Sequence, residues 1–196
     1  MKKNKLFVAV ISMAVILSFT VFAVPAWAAS KEEIQKEKAE IRKVSNETLN
    51  MLYKVQPSAK GAISKAAGYA VFSNFGMKIF VAGSGTGKGI AISNKSKKET
   101  FMKMVELQAG LGFGVKKFRV VWVFENEKLL TDFINSGWEF GAQASASAKA
   151  SDQGGGLAGA MSVKPGIWIY QLTDDGLALE LTGKGTKYYK DDDLNK

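Results

Sequence analysis

The chain has 196 residues, 46% of them hydrophobic, and its 27 basic and 18 acidic side chains give a formal net charge of +9. It contains neither cysteine nor histidine, which excludes disulfide bonds, Ser-His and Cys-His catalysis and the usual zinc sites. The excess of positive charge predicts attraction to anionic partners, although a solvated basic surface has the same composition.

The first 28 residues have the pattern of a secretory signal peptide. Three lysines precede an apolar stretch at 6–24, and Ala26-Trp27-Ala28 matches the small-residue cleavage motif. Cleavage after Ala28 would leave 196 − 28 = 168 residues, which suits a single domain. A retained membrane anchor is the alternative, because the apolar stretch is just long enough to span a bilayer. The signal peptide predicts export, with the periplasm as the expected location.

An amphipathic helix is predicted in the next segment, 29–57. Ser30 and Glu33 form a capping box, and Pro57 ends the pattern after Val55. The apolar residues recur every three or four positions, so one face of this helix either packs on a sheet or lies on a membrane. One or two further helical turns are expected between 58 and 67.

The glycine-rich segment Ala82 to Gly89 superficially resembles a phosphate-binding P-loop. That motif requires glycine at position 82 and a hydroxyl residue directly after Lys88, where this chain has Ala82 and Gly89. A nucleotide site is therefore not expected. Glycines that alternate with other residues among β-formers instead indicate strands whose backbones approach closely.

The rest of the chain predicts a sheet interrupted by one helix. The helix spans 125–137, with Asn126 as its cap and Gly137 as its stop. Strands are expected at 69–73, 77–83, 87–93, 100–108, 119–124, 138–150, 160–163, 166–173 and 177–182. Together these elements predict one α+β domain (58–196) with a largely antiparallel, curved or barrel-like sheet, preceded by the N-terminal helix.

The predicted strand at 138–150 places alanine at every second position from Ala142 to Ala150. Such a face buries little apolar area. Two interpretations stay open: another backbone approaches this strand closely, or the alanines leave space for a lipid-accessible groove.

Several segments between Ser58 and Tyr189 share an order and a spacing with one known family. They are Ala59 to Gly61, Gly68 to Phe72, Val81 to Gly83, Gly87 to Ile90, Gln108 to Gly114, Val120 to Phe133, Trp138 to Ala142 and Gly176 to Leu181. Taken together they resemble the SYLF-domain family of lipid-binding proteins. The resemblance implies binding of membrane phospholipids through basic residues and an amphipathic N-terminal helix. Some eukaryotic relatives bind phosphoinositides or actin, but this chain has no SH3 or FYVE module and carries an export signal, so anionic-lipid binding in general is what the resemblance transfers.

The resemblance places the expected lipid contacts on nine basic residues. Five lie on the N-terminal helix and four lie in or beside the matching strands: Lys31, Lys36, Lys38, Arg42, Lys43, Lys60, Lys65, Lys78 and Lys88. The hypothesis is a non-catalytic protein that binds an anionic phospholipid membrane surface in the bacterial envelope, with no nucleic acid, nucleotide or cofactor. An envelope protein that contacts a protein or polysaccharide partner is the alternative.

Catalysis and metal binding are not predicted by the acidic residues. The spacing of Glu106, Glu125, Glu139, Asp152 and Glu180 does not pair two carboxylates, and single acids are usually surface residues. The run Asp191 to Asp193 is interpreted as a loose acidic tail, without the ordered ligand spacing of a calcium-binding loop.

Overall fold

A computed structural model describes residues 30–74, 84–107, 118–140, 157–173, 176–178 and 186–196. Lys31–Lys196 form one compact unit. Its elements are α1 (Lys31–Val55), α2 (Ser58–Lys65), β1 (Gly68–Ser73), β2 (Ser84–Ser93), β3 (Glu99–Leu107), β4 (Arg119–Phe124), α3 (Glu127–Ser136), β5 (Trp138–Phe140), β6 (Met161–Lys164), β7 (Ile167–Thr173), β8 (Gly176–Ala178) and β9 (Thr186–Lys190).

The described strands form one antiparallel sheet in the order β5-β9-β3-β2-β1-β4-β7-β6, with β8 also paired to β7. The sheet curls so that side chains of its two edge strands, β5 and β6, come into contact. The ammonium nitrogen of Lys164 on β6 lies 4.6 Å from the ring centroid of Trp138 on β5. The predicted α+β fold with a curved antiparallel sheet is confirmed.

The concave face of the sheet holds the aromatic core and is filled by α3. Asn126 accepts a hydrogen bond from the backbone N–H of Leu129 at the start of this helix, and Gly137 ends it with a φ of +70°. The helix turns Phe133 toward the sheet, where its ring centroid lies 5.0 Å from that of Trp122. The same Trp122 ring meets the Tyr188 ring at 5.0 Å, so β4, α3 and β9 share one core.

The convex face is covered by α1 and α2. Strand alternation sends Val71, Val121 and Val123 to this side, where they pack against Leu49 and Leu52 of α1. Farther toward its N-terminus, α1 buries Ile41 against a separate small cluster formed with Ile90, Phe101 and Leu194. The predicted amphipathic helix is confirmed, and in this structure its apolar face packs on the sheet.

Two predicted strand segments are not tested by the structure, and one observed strand was not predicted. The strand expected at 77–83 and the alanine face from 142 to 150 lie outside the described residues. By contrast, β9 was missed by the sequence analysis, which predicted no strand after residue 182, although Gly183 and Gly185 are turn signals just before it. Its partner β3 supplies the hydrogen bonds that make it a strand.

The alternating glycines of β2 allow the close backbone approach that the sequence predicts. Gly89 pairs with Phe72 across β1 and β2, and a Cβ at position 89 would collide with the Val71 carbonyl oxygen and the Phe72 ring. We expect Gly89→Ala to destabilise the protein by about 3 kcal/mol, because backbone and a buried ring must both shift. Thermal or urea unfolding followed by circular dichroism measures this loss.

The matched control is Gly61→Ala. Gly61 lies inside α2 and has open space where a Cβ would be, so alanine is expected to stabilise the protein by about 0.5–1 kcal/mol through its better helix propensity. Equal effects of the two substitutions would contradict the close approach at Gly89.

Candidate anion-binding surface

Eight of the nine predicted basic residues are described, and they divide into two groups. Lys78 lies outside the described residues. Five of the others are exposed: Lys31, Lys36, Lys43, Lys60 and Lys65. The remaining three, Lys38, Arg42 and Lys88, make contacts within the fold.

Lys38 and Arg42 hold α1 against β3. Their cationic groups lie 5.4 and 5.1 Å from the centroid of the Phe101 ring, a distance at which the ring face attracts a cation. Arg42 also donates hydrogen bonds to the Glu99 carboxylate, with Nη2 at 2.8 Å and Nε at 2.9 Å. Both residues are therefore less available to an external anion than a solvated lysine.

Lys88 lies on β2, and its charged neighbours are Glu37 of α1 and Lys103 of β3. It forms an ion pair with Glu37 of α1, and it is directly opposite Lys103 of β3. Burial lowers the pKa of Lys88, an effect that the charge of Asp191 opposes and that of Lys103 reinforces. Because Lys88 is already paired with Glu37, it links α1 to β2 and is less available to an external anion.

A more accessible basic surface lies at one end of the sheet. It consists of four exposed lysines, Lys65 at the end of α2 and Lys95, Lys97 and Lys98 in the turn between β2 and β3. We call these four residues the lysine end. None of them forms an ion pair within the described part of the chain.

Asn94 joins the two segments of the lysine end. Its side-chain Nδ2 donates to the carbonyl oxygens of Ile63 at 2.6 Å and Ala66 at 2.9 Å. Its backbone N–H donates to the carbonyl of Ala67 at 2.8 Å. These bonds satisfy carbonyls at the C-terminal end of α2 and hold the turn beside Lys65.

The turn itself has a defined conformation. Lys97 adopts a φ of +57°, and its backbone N–H donates to the Ser93 carbonyl at 2.9 Å. The Ser93 hydroxyl oxygen accepts a hydrogen bond from the backbone N–H of Ser96. The lysine backbones are thus held in place before any ligand arrives, which lowers the ordering cost of binding.

Two acidic residues, Glu99 and Glu127, adjoin the turn of the lysine end. Glu99 follows the turn and is paired with Arg42. Glu127, at the start of α3, accepts a hydrogen bond from the Ser93 hydroxyl at 3.1 Å. The four lysines outnumber these carboxylates, so the surface carries net positive charge and suits contact with a layer of anionic groups.

The sequence analysis named Lys65 as a lipid contact but missed the other three lysines, Lys95, Lys97 and Lys98. The signal was the local charge: nine basic and two acidic residues lie between Lys78 and Arg119. Sequence alone does not show that this turn lies beside Lys65, because the hydrogen bonds that join them link residues 31 and 28 positions apart.

The acidic C-terminus is not a loose tail, and that interpretation was wrong. Asp191 is almost fully buried, its carboxylate accepts hydrogen bonds from the backbone N–H groups of Asp193 and Leu194, and it pairs with Lys103 at 3.0 Å. Burial on its own would lower the pKa of Lys103, but the hydrogen bond and charge of Asp191 outweigh it and raise that pKa. The segment is ordered by the hydrogen bond from the backbone N–H of Asp191 to the Phe101 carbonyl on β3 and by the two bonds to its own Asp191 carboxylate.

Two of the five acidic residues considered for catalysis have side chains that the structure describes. Glu125 and Glu139 are exposed side chains, whereas Asp152, Glu180 and the side chain of Glu106 lie outside the described residues. In the ranges that the structure describes, no group of three or more carboxylates is placed to hold a metal ion. Nor does any helix there have the length and apolarity needed to cross a bilayer.

The fold and this surface define a single α+β unit with a curled antiparallel sheet and a basic end. No family model matches the chain. The chain is similar to Beta cell expansion factor A from Aeromonas veronii, with 32% identity over 162 residues. The match covers 80% of this chain and 58% of that protein, so the chain spans less than two thirds of the length of this relative.

Proposed function

We propose that this protein is an exported member of the SYLF-domain family that binds anionic phospholipid surfaces in the bacterial cell envelope without catalysing a reaction. The lysine end carries this proposal. It offers four exposed ammonium groups on a pre-formed support, and phosphate-bearing head groups are the anions that such a surface meets at a membrane.

The resemblance to the SYLF-domain family and the signal-peptide pattern support the same conclusion. The resemblance implies phospholipid binding, and the signal-peptide pattern favours export to an envelope in which anionic lipids would be accessible. The apolar face of α1 packs on the sheet in this structure. The helix therefore contributes to lipid binding through its exposed lysines, Lys31, Lys36 and Lys43.

The test is co-sedimentation of the purified protein with lipid vesicles. Each lysine near an anionic surface contributes about 1 kcal/mol, so four predict roughly a thousandfold preference for phosphatidylglycerol-containing vesicles over pure phosphatidylcholine. Binding should weaken as salt rises, because the Debye length falls from about 10 Å at 0.1 M to about 3 Å at 1 M.

Two results would contradict the proposal. Equal binding to both kinds of vesicle would show that charge is not the determinant. Absence of binding to either, together with recovery of one envelope protein or polysaccharide in a pull-down, would favour the alternative function as an interaction protein.

A further inference from the structure

We propose that the C-terminal turn, Asp191–Lys196, is a clasp that holds the N-terminal half of α1 on the sheet, and that opening this clasp presents the helix to an anionic membrane. The membrane part rests on the proposed function. The clasp itself rests on contacts within the fold.

The two halves of α1 are held unequally. The C-terminal half buries Ser45, Thr48, Leu49 and Leu52, the last of them completely. The N-terminal half has no buried residue before Ile41. Besides Ile41, it is held by the ion pairs of Glu37 and Arg42, by cations over the Phe101 ring and by Ile34 at the margin of a small apolar cluster. Segments with few buried apolar contacts open first in native proteins.

The C-terminal turn is firmly attached to β3. Asn195 accepts a hydrogen bond from the backbone N–H of Phe101 at 3.0 Å and donates to the Phe101 carbonyl at 2.7 Å. The backbone N–H of Asp191 also donates to that carbonyl, at 3.0 Å. The turn therefore extends the β3–β9 pairing and has a fixed position on the convex face.

Leu194 connects this turn to the helix. It is 3% exposed and belongs to the same small cluster as Ile41, Ile90 and Phe101, with Ile34 packed at its margin. Without the Leu194 side chain, the cluster would lose one of its four buried members. The apolar residues of the N-terminal half of α1 contact this cluster, so the clasp acts on that half alone.

Opening the clasp would change what the helix offers to a membrane. Lys38 and Arg42 would leave the Phe101 ring, and Ile34 and Ile41 would become accessible. The freed segment would then combine these apolar residues with five cations and four glutamates, Glu32, Glu33, Glu37 and Glu40, so its net charge would be 5 − 4 = +1. An amphipathic helix with accessible apolar residues and cations can lie in the interface of a membrane.

Hydrogen exchange followed by mass spectrometry tests the clasp. The variants are Leu194→Ala and, as a matched control, Asp192→Ala, whose side chain is exposed. Leu194→Ala is expected to speed exchange across Lys31–Arg42 about tenfold while Ser45–Val55 and β4 stay unchanged. Asp192→Ala should leave all three regions as in the wild type. An unchanged rate in Lys31–Arg42, or an equal rise everywhere, would overturn the clasp.

A second variant, Asp191→Asn, tests the clasp independently if Leu194→Ala does not fold. Asp191→Asn keeps an oxygen that can accept from the N–H groups of Asp193 and Leu194 but removes the charge that pairs with Lys103. It is expected to speed exchange in the same segment by a smaller factor than Leu194→Ala. A rise confined to other parts of the sheet would count against the clasp.

Vesicle binding tests the membrane part separately. With phosphatidylglycerol-containing vesicles, Leu194→Ala is expected to bind about tenfold more tightly than the wild type, because less work is needed to release the helix. Faster exchange with unchanged or weaker binding would overturn the membrane role of the clasp while the wild-type binding still supports the proposed function. Equal wild-type binding to anionic and neutral vesicles would overturn the proposed function itself, and the exchange rates would still decide whether the turn holds the helix.

Discussion

Replacement of Lys65, Lys95, Lys97 and Lys98 with glutamine is expected to reduce affinity for phosphatidylglycerol-containing vesicles about a thousandfold. The four ammonium groups are exposed, and the loss of each removes about 1 kcal/mol of attraction to the anionic surface. Residual binding should approach that seen with neutral phosphatidylcholine. Co-sedimentation or flotation over a range of lipid concentrations measures the change.

The control for this variant carries the same change of net charge at other positions. Lys54, Lys128, Lys187 and Lys190 are exposed and lie on α1, α3 and β9, and their replacement with glutamine should weaken binding far less. Equal losses in the two variants would show that binding depends on the total charge and not on the lysine end. A normal circular dichroism spectrum of both variants is required for the comparison.

The largest expected loss of stability follows from Trp122→Ala. The Trp122 side chain is fully buried on β4, and its ring meets those of Phe124, Phe133, Trp138 and Tyr188 at centroid distances of 5.0–6.4 Å. Its removal leaves a cavity at the point where three strands and α3 converge. We expect a loss of about 3–5 kcal/mol in the free energy of unfolding.

Urea unfolding followed by far-ultraviolet circular dichroism measures this loss, since tryptophan fluorescence would change with the substitution itself. Trp168→Ala is the matched control. Trp168 lies on β7 and is only partly buried, at the margin of the convex-face cluster, so its loss should cost much less. Similar losses at the two positions would contradict a core centred on Trp122.

Local signals were sufficient to predict most of the elements. Asn126 and Gly137 bound α3 as their side-chain and backbone chemistry requires, and the periodic apolar residues of α1 placed that helix within two residues of its observed limits. The run Arg119 to Phe124, apolar on both faces, is a strand between β1 and β7 that is covered on both sides. β9 was missed although Thr186, Tyr188 and Tyr189 favour strands, because the run is short and its place in the sheet is set by pairing with β3.

The basic residues were harder to predict, because sequence shows their charge but not their partners. Lys38, Arg42 and Lys88 were expected to bind lipid, yet in the folded chain they contact Phe101, Glu99 and Glu37. Asp191 was expected to be solvated, yet it is buried against Lys103. Each of these outcomes depends on residues that are distant in the chain.

The amino-acid sequence by itself determined the fold class, the identity of most helices and strands, and the exclusion of cysteine and histidine chemistry, because these follow from composition and from interactions between near neighbours. Only the tertiary structure decided which lysines stand together and exposed, and that the C-terminus is docked. The physical reason is that a surface is built where distant segments meet: Asn94 must reach the end of α2, and Leu194 must reach Ile41, before either arrangement exists.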